Sequence, residues 1–190
     1  MKKKIVLING SPRAGKDTIA SFFKEFLENS VIEKFAYPIK NSVKSAFGIT
    51  DDYWKELEEF NKDTPLELFF GKTSRQVQIT FSEDFLIKQF SNDVFVKLLI
   101  NRIENNYPKE INTFIISDFG FEREIEFFKK NLDKYDVLVV KIFREGYDYK
   151  NDSRSNVFVD DNIFKVLNIF NNTNLQNLKD MIETTVKKYL

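Results

Sequence analysis

The chain has 190 residues, enough for one compact domain with a sizeable core. Its 29 basic and 29 acidic residues cancel, so no bulk charge draws it to duplex nucleic acid or to an anionic membrane. Cysteine and histidine are both absent, which excludes disulfides, thiolate metal sites, cysteine nucleophiles and imidazole bases. Chemistry is left to Lys, Arg, Asp, Glu, Ser, Thr, Tyr and the backbone amides.

The opening MKKKIVLING has basic residues before an apolar run, as a signal peptide would. The run ends within about five residues, below the roughly 7–15 of a secretory core, and a helix start follows it. No segment approaches the roughly 18 apolar residues of a membrane span. The expectation is therefore a cytoplasmic protein with neither membrane nor nucleic acid as partner.

Residues 4–9 (KIVLIN) form an apolar run stopped by glycine, the pattern of a buried strand. Residues 16–29 place Ile19, Phe22, Phe23, Phe26 and Leu27 at helical spacing. Residues 31–35 (VIEKF) fit a second strand, and Pro38 can open another helix. Residues 51–106 carry helix patterns broken near Thr64-Pro65 and at Gly71. Residues 113–117 (TFIIS) predict a strand, 121–132 a helix and 136–143 (DVLVVKIF) a strand. The polar, turn-rich 145–163 reads as a loop or lid, 165–170 as a last strand and 174–189 as a last helix.

Strands alternating with helices predict an α/β fold with a mostly parallel sheet, whose ligand crevice lies at the carboxyl ends of the strands. Gly10–Thr18, Asp118, Arg144 and Asn171–Asn172 all follow predicted strands.

The stretch GSPRAGK, Gly10 to Lys16, has the G-x-x-x-x-G-K spacing of a phosphate-binding loop, with a strand before it and a helix after it. Glycines let successive N–H groups curl around a polyphosphate. Lys16 reaches the β- and γ-phosphates, and the helix N-terminus adds positive potential. Arg13 and Ala14 stand inside this loop, and Arg13 faces either solvent or the phosphates. The usual residue after the lysine is Ser or Thr, which offers Mg²⁺ a neutral hydroxyl. Asp17 stands there instead, with Thr18 next. A carboxylate is also an oxygen ligand for Mg²⁺. The alternative is that Asp17 only favours the helix N-terminus through the dipole.

The G-x-x-x-x-G-K-D-T loop resembles that of the phage-type deoxynucleoside monophosphate kinases, a branch of the P-loop nucleoside monophosphate kinases. The Gly-Lys-Asp ending also resembles animal-type phosphomevalonate kinases. Further stretches are similar to elements of the deoxynucleotide group in the same order. They are FAYPIK (35–40), SRQVQITFSED (74–84), ISDFGFEREIEF (116–127) and NNTNLQNL (171–178). The chain departs from that pattern at Tyr37, where the group has an acid, at Gly120, where it has Arg, and at Phe81, where it has Gly. The DSRSN stretch (152–156) is only loosely similar to a His-x-Ser-Glu element.

The resemblance implies a P-loop three-layer sandwich around a parallel sheet of about five strands. Its core would be 1–35 and 110–190, with a helical acceptor-binding insertion at 36–106 and a lid at 144–160. It implies ATP as phosphate donor, Mg²⁺ as cofactor and a (deoxy)nucleoside monophosphate as acceptor. A homodimer and a virus-encoded origin are compatible with it.

Gly10, Arg13, Ala14, Gly15, Lys16, Asp17 and Thr18 would bind the donor phosphates, and Asn171 and Thr173 would lie by the donor base unless they only form a turn. Lys16, Asp118, Arg144 and Arg154 would serve the transfer, with Asp17 and Asp118 at the metal. Lys40, Arg75, Tyr37, Asp118 and Glu124 would bind the acceptor. The plain alternatives are a helix N-cap for Asp118, a solvated helix face for Glu124 and surface charge for each Arg.

Phosphoryl transfer needs positive charge around the migrating group more than it needs a base, so the lack of histidine is no obstacle. The rival readings are a kinase for another small acceptor, such as phosphomevalonate, and a non-catalytic nucleotide-binding protein with a degenerate acceptor site.

Overall fold

A computed structural model describes residues 2–150, 152 and 154–189; Asn151 and Ser153 of the expected lid lie outside the described residues. The chain divides into two compact units, 1–35 with 99–190, and 36–98.

In the first unit, the described residues form one five-stranded sheet of β1 (Lys3–Gly10), β2 (Ser30–Glu33), β5 (Thr113–Phe119), β6 (Tyr135–Phe143) and β7 (Lys165–Phe170). The strand order is β2-β5-β1-β6-β7. Every neighbouring pair is parallel. The fold class is therefore α/β, a parallel sheet flanked by helices. β1 is central, and Ile5, Val6, Leu7 and Ile8 are all fully buried. A strand covered on both faces must be apolar at successive positions, which is why KIVLIN reads as a continuous run rather than an alternation.

On one face α1 (Lys16–Phe26) packs with α7 (Leu175–Tyr189). Val6 and Ile8 of β1 meet Ile19, Ala20 and Phe23 of α1 and Leu178, Ile182 and Val186 of α7 there. Truncating the fully buried Phe23 to Ala would cost about 3–5 kcal/mol. The alternate β1 positions, Ile5 and Leu7, face the other side of the sheet. On that unit, α6 (Glu122–Lys129) places Phe128 edge-on to Tyr135 at 5.7 Å.

From β1 the chain passes to the edge strand β2, whereas β5 is followed by β6 on the other side of β1. The connections leaving the adjacent strands β1 and β5 run in opposite directions across the sheet, so a crevice opens at their carboxyl ends. Gly10 ends β1 at that point.

The second unit holds α2 (Tyr37–Ala46), α3 (Asp51–Phe60), a small hairpin of β3 (Pro65–Leu66) and β4 (Lys72–Thr73), and α4 (Ser74–Ile79), which continues as a π-helical stretch at Thr80–Ile87. Of the expected breaks, Thr64-Pro65 is where the hairpin begins and Gly71 lies in its connection, directly before β4. Thr50 caps α3 by accepting from Tyr53 N–H, and Thr73 and Gln76 close a capping box at α4. The unit ends inside α5 (Val94–Asn105), whose residues from Leu99 onward belong to the first.

No helix among the described residues is long and apolar enough to cross a membrane.

Candidate functional site

Between β1 and α1 the chain folds into a tight loop. Arg13 (φ 63) and Gly15 (φ 99) both take the left-handed region, which costs a residue bearing a Cβ. At Arg13 the strained backbone is held by Arg144, whose Nη1 donates to the Arg13 carbonyl at 3.0 Å. A Cβ on Gly15 would stand 2.5 Å from Asn171 Nδ2. That amide donates to the Ala14 carbonyl at 2.8 Å, while the Asn171 N–H donates to Phe143 O, also at 2.8 Å. Ala14 is fully buried and roots the loop in the core.

Lys16 is the first residue of α1, and its ammonium folds back over the loop. It donates to the carbonyls of Gly10 at 2.8 Å and Ser11 at 2.7 Å. Burial, with nearby Arg154 adding to it, brings the Lys16 pKa down to about 8. The first-turn N–H groups of α1 have no helical acceptors, so the loop presents amide donors and a poised cation together.

Asp17 is exposed, and its Oδ1 accepts from Lys34 Nζ at 2.8 Å and from Ser117 Oγ at 3.0 Å. Desolvation would raise the Asp17 pKa, but the Lys34 and Ser117 contacts and the Lys16 charge together hold it below the usual carboxylate value. Asp118 follows Ser117 near the end of β5, and its Oδ1 accepts from the Phe35 N–H at 2.9 Å.

The helix that follows starts with Phe121 at the N-cap position, so Asp118 is not its cap. Glu124 does that work, accepting from the N–H groups of Gly120 at 2.9 Å and Phe121 at 3.0 Å. It is 3% exposed, not part of a solvated helix face, and burial, reinforced by Asp118, raises its pKa to about 8.

The segment expected as a lid is in part built into this unit. Tyr149 OH donates to Asn9 Oδ1 at 3.1 Å, and Asn9 Nδ2 donates to Ser155 O at 2.9 Å and Phe119 O at 3.1 Å. Arg154 grips Asp152 bidentately, with Nε to Oδ1 and Nη2 to Oδ2 both at 2.7 Å. Burial works to raise the Asp152 pKa, but the Arg154 contacts bring it down to about 2. The Arg154 stem lies on Gly120, where a Cβ would fall 2.5 Å from Arg154 Cγ. The glycine at 120 is thus the seat of an arginine supplied from 154.

Beside the loop a cavity of about 430 Å³ is lined by Ser11, Arg144, Tyr147, Tyr149, Phe170 and Asn172, among others. The Arg144 guanidinium stacks on the Tyr147 ring at 4.8 Å. Thr18 is exposed on α1, and Thr173 Oγ1 accepts from Asn177 Nδ2 at 3.1 Å ahead of α7.

The other expected site residues lie in the second unit. Tyr37 opens α2. Lys40 Nζ pairs with Glu58 Oε2 at 2.5 Å, and Lys62 joins the same oxygen at 3.4 Å. Ser74 and Gln78 donate to Glu58 Oε1 at 3.2 and 2.8 Å. Desolvation opposes ionisation of Glu58, but Lys40 and then Lys62 bring its pKa down to about 2. Arg75 Nε donates to Asp63 Oδ1 at 2.7 Å.

Sequence reasoning did not single out Lys34, Ser117, Asn9, Tyr149, Asp152 or Glu58. For Lys34 and Ser117 the only local signal is their place at strand ends in a parallel sheet.

Among the described residues no group of three or more His, Cys, Asp or Glu converges on a metal position. Mg²⁺ does not need one, because it keeps several waters and uses one or two carboxylates plus substrate phosphates. Asp17 fits that donor chemistry, since both of its hydrogen bonds fall on Oδ1.

No protein-family model matches the chain. No curated protein matches it either. Among solved structures the chain is similar to a "putative kinase from chloroflexus aurantiacus j-10-fl", at 10% identity over 100% of this chain and 98% of that one, with a TM-score of 0.48. The strand order and loop geometry described above carry the fold assignment on their own.

Proposed function

We propose that this protein is a P-loop kinase that transfers the γ-phosphate of ATP to a nucleoside or deoxynucleoside monophosphate. One observation carries the reading. At the carboxyl end of the central strand, the G-x-x-x-x-G-K loop leads into a helix, and its lysine is held over the loop carbonyls of Gly10 and Ser11. Such an arrangement binds a polyphosphate through amides, helix N-terminus and lysine acting together.

In the transfer, an oxygen of the acceptor phosphate forms a bond to the γ-phosphorus as the bond to the β–γ bridging oxygen breaks. ADP leaves, and no side chain need take a proton. Lys16 exchanges the loop carbonyls for phosphate oxygens. Arg154 brings a guanidinium oriented by Asp152, with its remaining N–H donors outside that pair. Arg144 adds a second guanidinium beside the loop. Asp17 and Asp118 are the carboxylates that would hold Mg²⁺, and the ion would neutralise phosphate charge.

The cavity beside Ser11 and Arg144 offers aromatic faces of the kind a donor base stacks on. The acceptor assignment to Lys40, Tyr37 and Arg75 of the second unit is supported by the ordered resemblance to deoxynucleoside monophosphate kinases.

The test is ATP consumption against a panel of nucleoside and deoxynucleoside monophosphates that also contains phosphomevalonate, with products identified by mass. The expected result is a nucleoside diphosphate, formed by the wild type and lost in Lys16→Ala. Full activity in Lys16→Ala would sink the reading. ATP binding with no phosphorylated product from any acceptor would favour a non-catalytic nucleotide-binding role.

A further inference from the structure

We propose that Lys34 is a positioning residue for the phosphate loop. It holds the Asp17 carboxylate in place and cancels its charge, so that an acid can stand at the head of α1 where a polyphosphate must bind. The inference rests on the nucleotide reading above and deepens it.

The problem is electrostatic. Asp17 is the second residue of α1 and follows Lys16 directly. A carboxylate there gains from the helix dipole while the site is empty of anions. With a polyphosphate on the loop amides, the same carboxylate is a like charge beside it. A Ser or Thr at this position brings no such penalty. An acid therefore needs a cation of its own, distinct from Lys16, whose charge is committed to the phosphates.

Lys34 meets that need. Its Nζ donates to Asp17 Oδ1 at 2.8 Å, across 17 residues of sequence. Ser117 Oγ donates to the same oxygen at 3.0 Å, so the carboxylate is gripped on one oxygen from two strand ends. The other oxygen, Oδ2, takes no hydrogen bond among the described residues and is left to a metal or its waters.

The backbone that carries Lys34 is locked on both sides, which separates a placed residue from a chance surface lysine. Glu33 is 1% exposed and accepts from Arg102 Nη2 at 2.9 Å and Nε at 3.2 Å. Tyr107 OH donates to the same carboxylate. Arg102 Nη2 also donates to the Lys34 carbonyl at 2.7 Å. On the far side the Phe35 N–H donates to Asp118 Oδ1 at 2.9 Å. Residues 33, 34 and 35 are thus each fastened, and the Lys34 side chain leaves the strand end to meet Asp17.

The pair does little for the fold. The Asp17 side chain is 76% exposed and that of Lys34 is 24% exposed. An ion pair so open to solvent contributes little to stability. Its effect falls on the anion that binds beside it.

The experiment is calorimetric titration of the full-length protein with a non-hydrolysable ATP analogue and Mg²⁺, paired with thermal unfolding. Wild type, Lys34→Met, Lys34→Arg, Asp17→Ser and the double variant Asp17→Ser/Lys34→Met are compared. Lys34→Met is expected to weaken binding about tenfold or more with the unfolding midpoint nearly unchanged. Lys34→Arg should keep most of the affinity. The double variant should bind within about threefold of Asp17→Ser alone, because a hydroxyl at 17 needs no cation.

Wild-type affinity in Lys34→Met, or additive losses in the double variant, would overturn the inference while leaving the nucleotide reading intact. A wild type that binds no nucleotide would overturn that reading, and this inference with it.

Discussion

Replacing Gly120 by alanine would strike the contact that seats Arg154. Gly120 does not occupy the left-handed region, so the added methyl brings no backbone strain and acts by volume alone. The new Cβ would lie 2.5, 2.6 and 2.7 Å from Cγ, Cβ and Cδ of Arg154. These are stem atoms, and they cannot swing away as a side-chain tip would. The backbone behind them is tied to residue 120 itself, because the Ser155 N–H donates to Gly120 O at 3.1 Å.

Overpacking of this kind costs about 1–3 kcal/mol. If the stem is expelled, Asp152, with a side chain only 3% exposed, loses its partner as well. A broken buried pair costs about 3–5 kcal/mol, and the lower end applies because the Arg154 side chain is 25% exposed. The expected loss is about 2–3 kcal/mol. At about 2–4 °C per kcal/mol for a chain of this size, the melting temperature should fall by about 4–12 °C. Thermal and urea unfolding followed by circular dichroism would measure it. The control is the same substitution in an Asp152→Asn/Arg154→Gly background, which lacks both stem and ion pair. There Gly120→Ala should cost less than about 0.5 kcal/mol. An equal loss in both backgrounds would refute the seat.

Lys16, with a pKa near 8, should regain its full charge when a polyphosphate binds, so binding at pH 8 should take up about half a proton. Affinity should fall as pH rises above 8. Calorimetry in buffers of different ionisation enthalpy would detect the uptake, and its absence would contradict the buried, loop-bound lysine. Glu124 holds its proton in the folded chain to a pH of about 8, against an ordinary carboxyl value of 4.5. Its contribution to stability is complete below pH 4.5 and is lost as pH rises toward and through 8. Glu124→Gln should flatten the pH dependence of the urea midpoint across that window; an unchanged slope would count against the assignment. Gly15→Ala should lose about 1–3 kcal/mol, from the positive φ and from the contact with Asn171. Adding Asn171→Ala should recover only the part due to that contact, and full recovery would mean that φ at 15 costs nothing.

The strands were legible because their signal is local. A parallel strand buried on both faces must be a run of apolar residues, and KIVLIN, TFIIS and DVLVVKIF are such runs. The phosphate-loop spacing was legible for the same reason, since backbone amides, two glycines and a lysine act within seven residues, Gly10 to Lys16. The stretch 145–163 reads as a polar loop or lid, and its polarity is real. What its composition did not disclose is that Asp152 and Arg154 spend that polarity on each other, and Tyr149 on Asn9, rather than on solvent. Glu124 likewise sits in a sequence suited to a solvated helix face, yet it is buried as the acceptor for two N–H groups.

By itself, then, the sequence determined the alternation of strands and helices, the loop at the end of the first strand and the acid that follows its lysine. Each of these depends on residues within one or two turns of chain. Only the tertiary structure decided what stands around that loop. The order β2-β5-β1-β6-β7 carries Lys34 and Ser117 to Asp17, Asn171 to Ala14 and Arg144 to Arg13. Which strand ends become neighbours follows from how buried strands share one sheet, and no short stretch of sequence carries that information.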